Sequence, residues 1–264
     1  MQGIGKMALA LAFVTPALAQ APAINSGGVV NAASFAAGQP ITPGSLISIF
    51  GTNLAAALAQ ASSVPLSTNL GNVQSVTFNN NPAPLIFVSP NQINAQLPWE
   101  VPQSGTATVV VKTSSGASAA ASVPLGPLSP GIFAVNFGVG PAIAINLDGS
   151  LAAATGSIPG LPTHPAKAGD YIEILCTGLG AVSTPVTTGA VPTSLAQTVT
   201  TPVVLVGGVP AQVTFSGLTP QFPGVNQVNI VIPAGVTPGN AVPLQLQVGG
   251  ITTTNQVTIA ISGS

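Results

Sequence analysis

The sequence predicts an all-β chain, two antiparallel β-sandwiches in tandem, behind an N-terminal export signal. Three observations carry this. Short apolar alternations recur along the whole chain, each closed by Gly, Pro or Asn, which is the pattern of short strands joined by tight turns. The stretch LIFVSPNQINAQLPWEV at 85–101 returns as VTFSGLTPQFPGVNQVNIVIPAGV at 213–236, with Gln92, Asn94 and Pro98 answered by Gln227, Asn229 and Pro233, 135 residues on. The composition is 46% hydrophobic but only 3% charged, so a core is available and Ser, Thr, Asn and Gln must cover the surface in place of charge.

The elements follow in order. Lys6, the apolar run MALALAFV and Ala17-Leu18-Ala19 form the charged, apolar and small-residue parts of a signal peptide over 1–19. The apolar run is too short to span a bilayer and meets Pro16. QAPAINSG at 20–27 reads as a flexible leader. GVVNAASF is then a short strand, and SLISIF a buried one with Ile47 and Ile49 on one face. NLAAALAQASS is left open between a helical turn and an irregular loop. VQSVTF runs into Asn79-Asn80-Asn81, residues that tolerate the left-handed conformation of a tight hairpin. PLIFVS, QINAQL, TATVVVKT and ASAAASVPL complete a first domain over 28–125. Its expected inward residues on QINAQL are Ile93, Ala95 and Leu97, with Asn94 and Gln96 on the other face.

GPLSPG at 126–131 is a Pro/Gly joint, and the signals then begin again for a second domain over 132–262. AIAINLDGSL carries the turn signal Asp148-Gly149. Ile172 and Ile174 in AGDYIEILCTGLG fall 125 residues after Ile47 and Ile49, while Pro210 and Phe215 fall 128 after Pro82 and Phe87. The spacing then grows to 135, so the second copy carries seven extra residues in the loop LTPQFPGV at 218–225. AVPLQLQVGG alternates with Val242, Leu244, Leu246 and Val248 inward, and TTNQVTIAI closes the chain's last strand. Each copy has the size of an immunoglobulin-like sandwich.

PGSLISIFGTNL, SPNQINAQLPWEV, AGDYIEILCTGLG, GVNQVNIVIPAG and GGITTTNQVTIAI resemble, in that order, the uncharacterised Solibacter-type C-terminal domain family of acidobacterial secreted proteins. The resemblance covers 27–261. It implies tandem immunoglobulin-like folds of the plexin/transcription-factor type, usually appended to the C-terminus of a larger exported protein. Here the unit is expected to stand alone behind the signal, which departs from that habit. The resemblance implies no catalytic residues and no activity.

The charge inventory excludes several functions. Lys6, Lys112 and Lys167 are the whole basic complement, far short of what nucleic acid or an anionic membrane requires. Cys176 is the single cysteine, so no intramolecular disulfide forms, and it reads as a small buried hydrophobe. No catalytic, cofactor or metal residues are expected. His164 with Asp170 lacks any nucleophile-elbow pattern. Glu100 and Glu173 lie in different copies, which puts the paired carboxylates of a glycosidase out of reach without contact between domains, and Glu173 alternates with inward Ile172 and Ile174, so it is expected to face solvent. Asp148, Asp170 and Asn79 to Asn81 offer fewer hard oxygens than calcium needs. The Gln/Asn pairs are expected to be structural, bonding backbone at a loop crossing.

Three residues are candidates for ligand contact. Trp99 and Glu100 follow the first copy's signature strand, where the second copy has Ala234-Gly235, and Phe222 sits between Pro220 and Pro223 in the insert. For Trp99 the alternatives are an exposed stacking surface and a plug at the sandwich end or the joint. The functional expectation is a non-catalytic module, secreted and extracellular, periplasmic or at the cell surface, whose partner is a neutral polysaccharide or an envelope protein. The alternatives are a self-associating subunit of an extracellular layer or fibre and, last, a secreted hydrolase.

Overall fold

The computed structural model describes residues 20–263, and the expected signal peptide lies outside the described residues. Every regular element among them is a strand. The first half contains β1 (Ala23–Asn31), β2 (Leu46–Thr52), β3 (Ala59–Gln60), β4 (Val73–Phe78), β5 (Asn81–Pro82), β6 (Leu85–Val88), β7 (Gln92–Gln96), β8 (Gly105–Thr113), β9 (Gly116–Ala117) and β10 (Ala121–Leu125). They form one sheet in the order β1-β2-β7-β6-β3 and another in the order β10-β8-β4-β5, with β9 on β8. Ile47, Ile49, Ile93 and Ala95 from the first sheet share one buried cluster with Val76, Phe78, Val109 and Val111 from the second. Alternation puts these residues on single faces, so the two sheets pack face to face.

The second half contains β11 (Gly131–Ile132), β12 (Ala134–Asn136), β13 (Val139–Ala142), β14 (Ala144–Asn146), β15 (Tyr171–Thr177), β16 (Val203–Val206), β17 (Val209–Leu218), β18 (Asn226–Val231), β19 (Gly239–Val248), β20 (Ile251–Thr252) and β21 (Val257–Ile261). Here the ladder is continuous, in the order β11-β15-β18-β17-β16-β19-β21-β13-β12, with β14 on β15 and β20 on β19. Ile172, Ile174, Val228 and Ile230 from one end of it share a core with Val204, Leu244, Leu246 and Ile259 from the other. The ladder therefore folds over on itself. The hinge is β17, whose first residues pair with β16 and whose later residues pair with β18. In the first half the same path is cut into β5 and β6, because Pro84 stands where the second copy has Gln212 and brings no N–H to a ladder. One pair of these strands departs from the expected antiparallel pattern, β13 with β21, and three isolated bridges are parallel too.

The hairpin signals hold. Asn79 and Asn80 are left-handed, with φ of 48° and 67°, and Gly207 and Gly208 take the same place in the second half with φ of 58° and 83°. Both are two-residue turns between paired strands. NLAAALAQASS is irregular apart from the two residues of β3, so the loop alternative holds over the helical one.

The flexible leader is corrected. Residues 23–27 belong to β1, with Ala23 paired to Thr52 and Ile24 to Gly51, and a bulge before Val29 resumes the register on Ile49. Ile24 packs on the core. A Cβ at Gly51 would lie 2.1 Å from the Ala23 carbonyl oxygen, which explains the glycine opposite this strand. In the second copy the corresponding position is Cys176, paired to Ile132 of β11, and both are fully buried.

Candidate functional site

The ionisable residues come first, because they decide whether chemistry is available. His164 Nε2 lies 3.0 Å from Asp148 Oδ2, and Nδ1 lies 2.9 Å from the Pro165 carbonyl oxygen. Both partners are acceptors, so only the doubly protonated ring satisfies both contacts. The Pro165 carbonyl first, and then Asp148, raises the His164 pKa. Asp148 is held down to about 2, chiefly by the Ser150 hydroxyl, which donates to Oδ1 at 2.7 Å while the Ser150 N–H donates at 3.0 Å. Ser150 is buried and also accepts from Asn146 Nδ2 at 3.0 Å.

This order is the reverse of a hydrolytic relay. There the imidazole stands between serine and carboxylate and takes the serine proton; here the carboxylate stands between, and the serine is sealed under it. Asp148 with a lowered pKa also fails as the general acid of a glycosidase. Asp170 Oδ2 accepts from the Lys167 N–H at 2.9 Å and closes the turn before β15. Glu173 is on the outer face, as alternation requires, but it is half-buried beside Ile145 and Asn229 on the neighbouring strands, and lost hydration raises its pKa. Burial pushes the Cys176 thiol up, out of reach of thiolate chemistry. Among the described residues no three His, Cys, Asp or Glu side chains gather to hold a metal ion.

Trp99 and Glu100 sit at the seam between the two halves. Trp99 is half-buried, its ring laid on Gly44 so closely that a Cβ there would fall 2.2 Å from it. Its indole Nε1 is buried without a partner. Thr188, from the second half, accepts from the Trp99 N–H at 3.0 Å and donates to Glu100 Oε2 at 2.8 Å. Gly189 N–H donates to Gln96 Oε1 at 2.7 Å, and Gln96 Nε2 donates to the Gly44 carbonyl. Gln96 lies on the Asn94 face of β7, where the bond from Gly189 draws the loop of the second half over it, and it is buried.

Phe222 is carried on the insert loop, whose Gly224 packs against Leu46 and the Gly44 carbonyl. Its loop is closed by Thr219 N–H to Val225 O at 3.0 Å and by Val225 N–H to Phe222 O. Thr177 then pins the loop to the first half. Its hydroxyl donates to the Gly224 carbonyl at 2.7 Å and accepts from the Leu46 N–H at 2.9 Å. The outcome is an exposed aromatic ring, 55% accessible, on a fixed loop. It lines a groove of about 410 Å³ with Gln221 and Pro223 from its own loop, and Leu46, Gln60, Ser62, Ser63 and Val64 from the first half. No ionisable group lines it. Insertion length was the signal that picked out Phe222; nothing local showed that residues 60–66 would form the opposite wall.

The signature amides are corrected in one respect. They do not bond backbone at a loop crossing. Gln92 Nε2 donates to Asn94 Oδ1 at 2.8 Å, and Gln227 Nε2 donates to Asn229 Oδ1 at 2.9 Å. Residues two apart share a strand face, so each pair is a small hydrogen-bonded unit on the outside of its sheet. Pro98 is buried two residues past the end of β7, and Pro233 stands two residues past the end of β18.

No curated protein matches the sequence. Among solved structures, a surface glycan-binding protein of the Bacteroides ovatus mixed-linkage glucan utilization locus, in complex with a heptasaccharide, aligns at 15% identity over 85% of this chain and 44% of its own, with a TM-score of 0.34. A surface glycan-binding protein from Prevotella bryantii aligns at 12% over 91% and 42%, with a TM-score of 0.27. Domains 5–6 of the S-layer protein SbsC align at 12% over 92% and 99%, with a TM-score of 0.25. The chain spans less than half the length of the first two, and at these scores the likeness carries no inference about function. The family comparison is firmer and confined to the first half: residues 29–125 match the model of the IPT/TIG domain, an immunoglobulin-like unit.

Proposed function

We propose that this chain is a non-catalytic, exported interaction module that binds a neutral polysaccharide or a polysaccharide-bearing envelope component. In this reading it consists of a signal peptide at 1–19 and two immunoglobulin-like domains at 28–125 and 132–262 joined at 126–131, and the Solibacter-type family is its wider kin. The observation that carries the functional reading is the seam groove: an exposed phenyl ring on a pinned loop, in an uncharged and mainly apolar lining (Leu46, Val64, Leu66, Ile86, Pro223) set with the amides of Gln60 and Gln221 and the hydroxyls of Ser62 and Ser63. Such a lining suits a ligand that offers hydroxyls for hydrogen bonds and C–H faces for an aromatic ring. A charged ligand entering it would lose hydration without finding an ionic partner. Acid–base and nucleophilic roles find no support, since His164, Asp148 and Ser150 are committed to one another.

The test is affinity electrophoresis of the chain through gels containing dextran, glucomannan or laminarin, each against a gel without polysaccharide. Retardation by at least one of them, reduced in Phe222→Ala, is the expected result. Unchanged mobility in all of them, with retardation instead by anionic polymers such as alginate, contradicts the reading. Self-association is the second reading, favoured by the low charge and by exposed apolar residues such as Phe137 at 76% and Leu147 at 85% accessibility. Light scattering that grows with concentration would support it.

A further inference from the structure

The outer face of the second sandwich carries another uncharged cleft, which shares no lining residue with the seam groove. It has a volume of about 520 Å³ and lies over β17 and β18. Its floor is Phe215. A Cβ at Gly217 would come within 2.6 Å of the Phe215 ring tip and 2.5 Å of the Ala196 carbonyl oxygen, so the ring tip reaches along the strand to the space that glycine leaves, and Phe215 stays half-buried there. Phe215 is paired with Asn229 and Gly217 with Gln227 across the two strands, which sets the amide unit beside the ring. Thr193 and Ser194, both exposed, form one wall, and Pro220 of the insert forms another.

The amide unit is polarised. Gln227 Nε2 gives a proton to Asn229 Oδ1. That leaves Gln227 Oε1 as an acceptor and Asn229 Nδ2 as a donor, neither bonded to another group among the described residues. A donor next to an acceptor matches two neighbouring hydroxyls of a sugar ring, one giving its proton to Gln227 and the other accepting from Asn229. The phenyl face beneath takes the C–H face of the same ring. No ionisable side chain lines the cleft. The first copy differs at three points, the first being Ser89 in place of Gly217. Ser48 donates a second hydrogen bond to Asn94 Oδ1 at 2.9 Å, where the second copy has Glu173, and the first copy lacks the insert that supplies Pro220.

We infer that the cleft over Phe215, Gln227 and Asn229 is a second binding site, and that it takes a sugar ring of a neutral polysaccharide. The inference rests on the neutral-glycan reading of the proposed function and extends it: two separate sites on one chain grip a polymer together, with avidity beyond either alone. Dextran, glucomannan and laminarin are titrated by calorimetry into the wild type, Ser194→Arg, Gln227→Ala and Phe222→Ala, with side-chain amide resonances followed by NMR. Ser194 is exposed, so the arginine fills the cleft without entering the core. Affinity for the polysaccharide that binds falls about tenfold in Ser194→Arg and in Gln227→Ala, and the Gln227 and Asn229 amide resonances shift on its addition. If Phe222→Ala weakens binding while both cleft variants bind as the wild type and the amides stay put, the cleft is overturned and the glycan reading stands on the seam groove. If the wild type binds none of the three, both fall together.

Discussion

His164 and Asp148 show how a residue reading changes once partners are known. In the sequence the histidine is a loop residue between two prolines; in the structure it ties its loop to the turn after β14. Its pKa is raised above the ordinary 6.5 and that of Asp148 is lowered from 3.8 to about 2. The raised histidine contributes stability that is present below pH 6.5 and is lost as pH rises through its folded-state pKa. The lowered aspartate contributes stability that is present above 3.8 and is lost as pH falls toward 2. The loop is therefore held best between those ordinary values. NMR titration of the His164 ring protons is expected to show a midpoint above 6.5 that moves down in Asp148→Asn. Gly44 is the second decisive residue. Its φ is +81° and the Trp99 ring occupies the place of its side chain. Gly44→Ala is expected to cost about 2 kcal/mol or more in urea unfolding and to move the tryptophan emission to longer wavelength.

At the scale of elements, the sequence was most legible where a strand carries its own pattern. Ile47 and Ile49, Ile93 and Ala95, and Leu244 and Leu246 are all buried as their alternation required. The tight turns were equally legible, because Asn and Gly are the residues that accept positive φ. This gives a prediction across the repeat. Gly208 has open space around its missing Cβ and matches Asn80, so Gly208→Asn should change stability by no more than about 0.5 kcal/mol, whereas Gly208→Val should cost more than about 1 kcal/mol. The start of β1 was not legible. AINSGG shows no alternation, and its strand is imposed by β2 across a bulge, so its order comes from the partner. Deleting residues 20–27 removes the pairs at Ala23 and Ile24 and is expected to lower the urea midpoint, with a loss of at least about 1 kcal/mol; an unchanged midpoint would restore the flexible-leader reading.

The whole molecule is organised by the repeat and by what breaks it. The two copies were visible as a shifting offset, and the growth of that offset located the insert that now lines both uncharged clefts. The seam was not visible. Thr177, Gln96 and Thr188 act through loops of one half reaching the other, and no local pattern encodes that reach. Phe215 was passed over because it reads as an ordinary strand aromatic until Gly217 and the amide unit are placed beside it. Thr177 joins the halves through one hydroxyl, fully buried between the Leu46 N–H and the Gly224 carbonyl. Thr177→Val leaves both without a partner, a loss of about 1–3 kcal/mol. Calorimetry is expected to show one unfolding transition in the wild type and two in Thr177→Val; a single transition in both would mean that this hydroxyl does not couple the halves. In the proposed function, the uncharged grooves of the whole molecule meet a neutral glycan. The most direct test of that contact is co-sedimentation of the purified chain with envelope material from its own cells, before and after enzymatic digestion of the polysaccharide. Pelleting that digestion abolishes is the predicted result, and pelleting that survives digestion would contradict it.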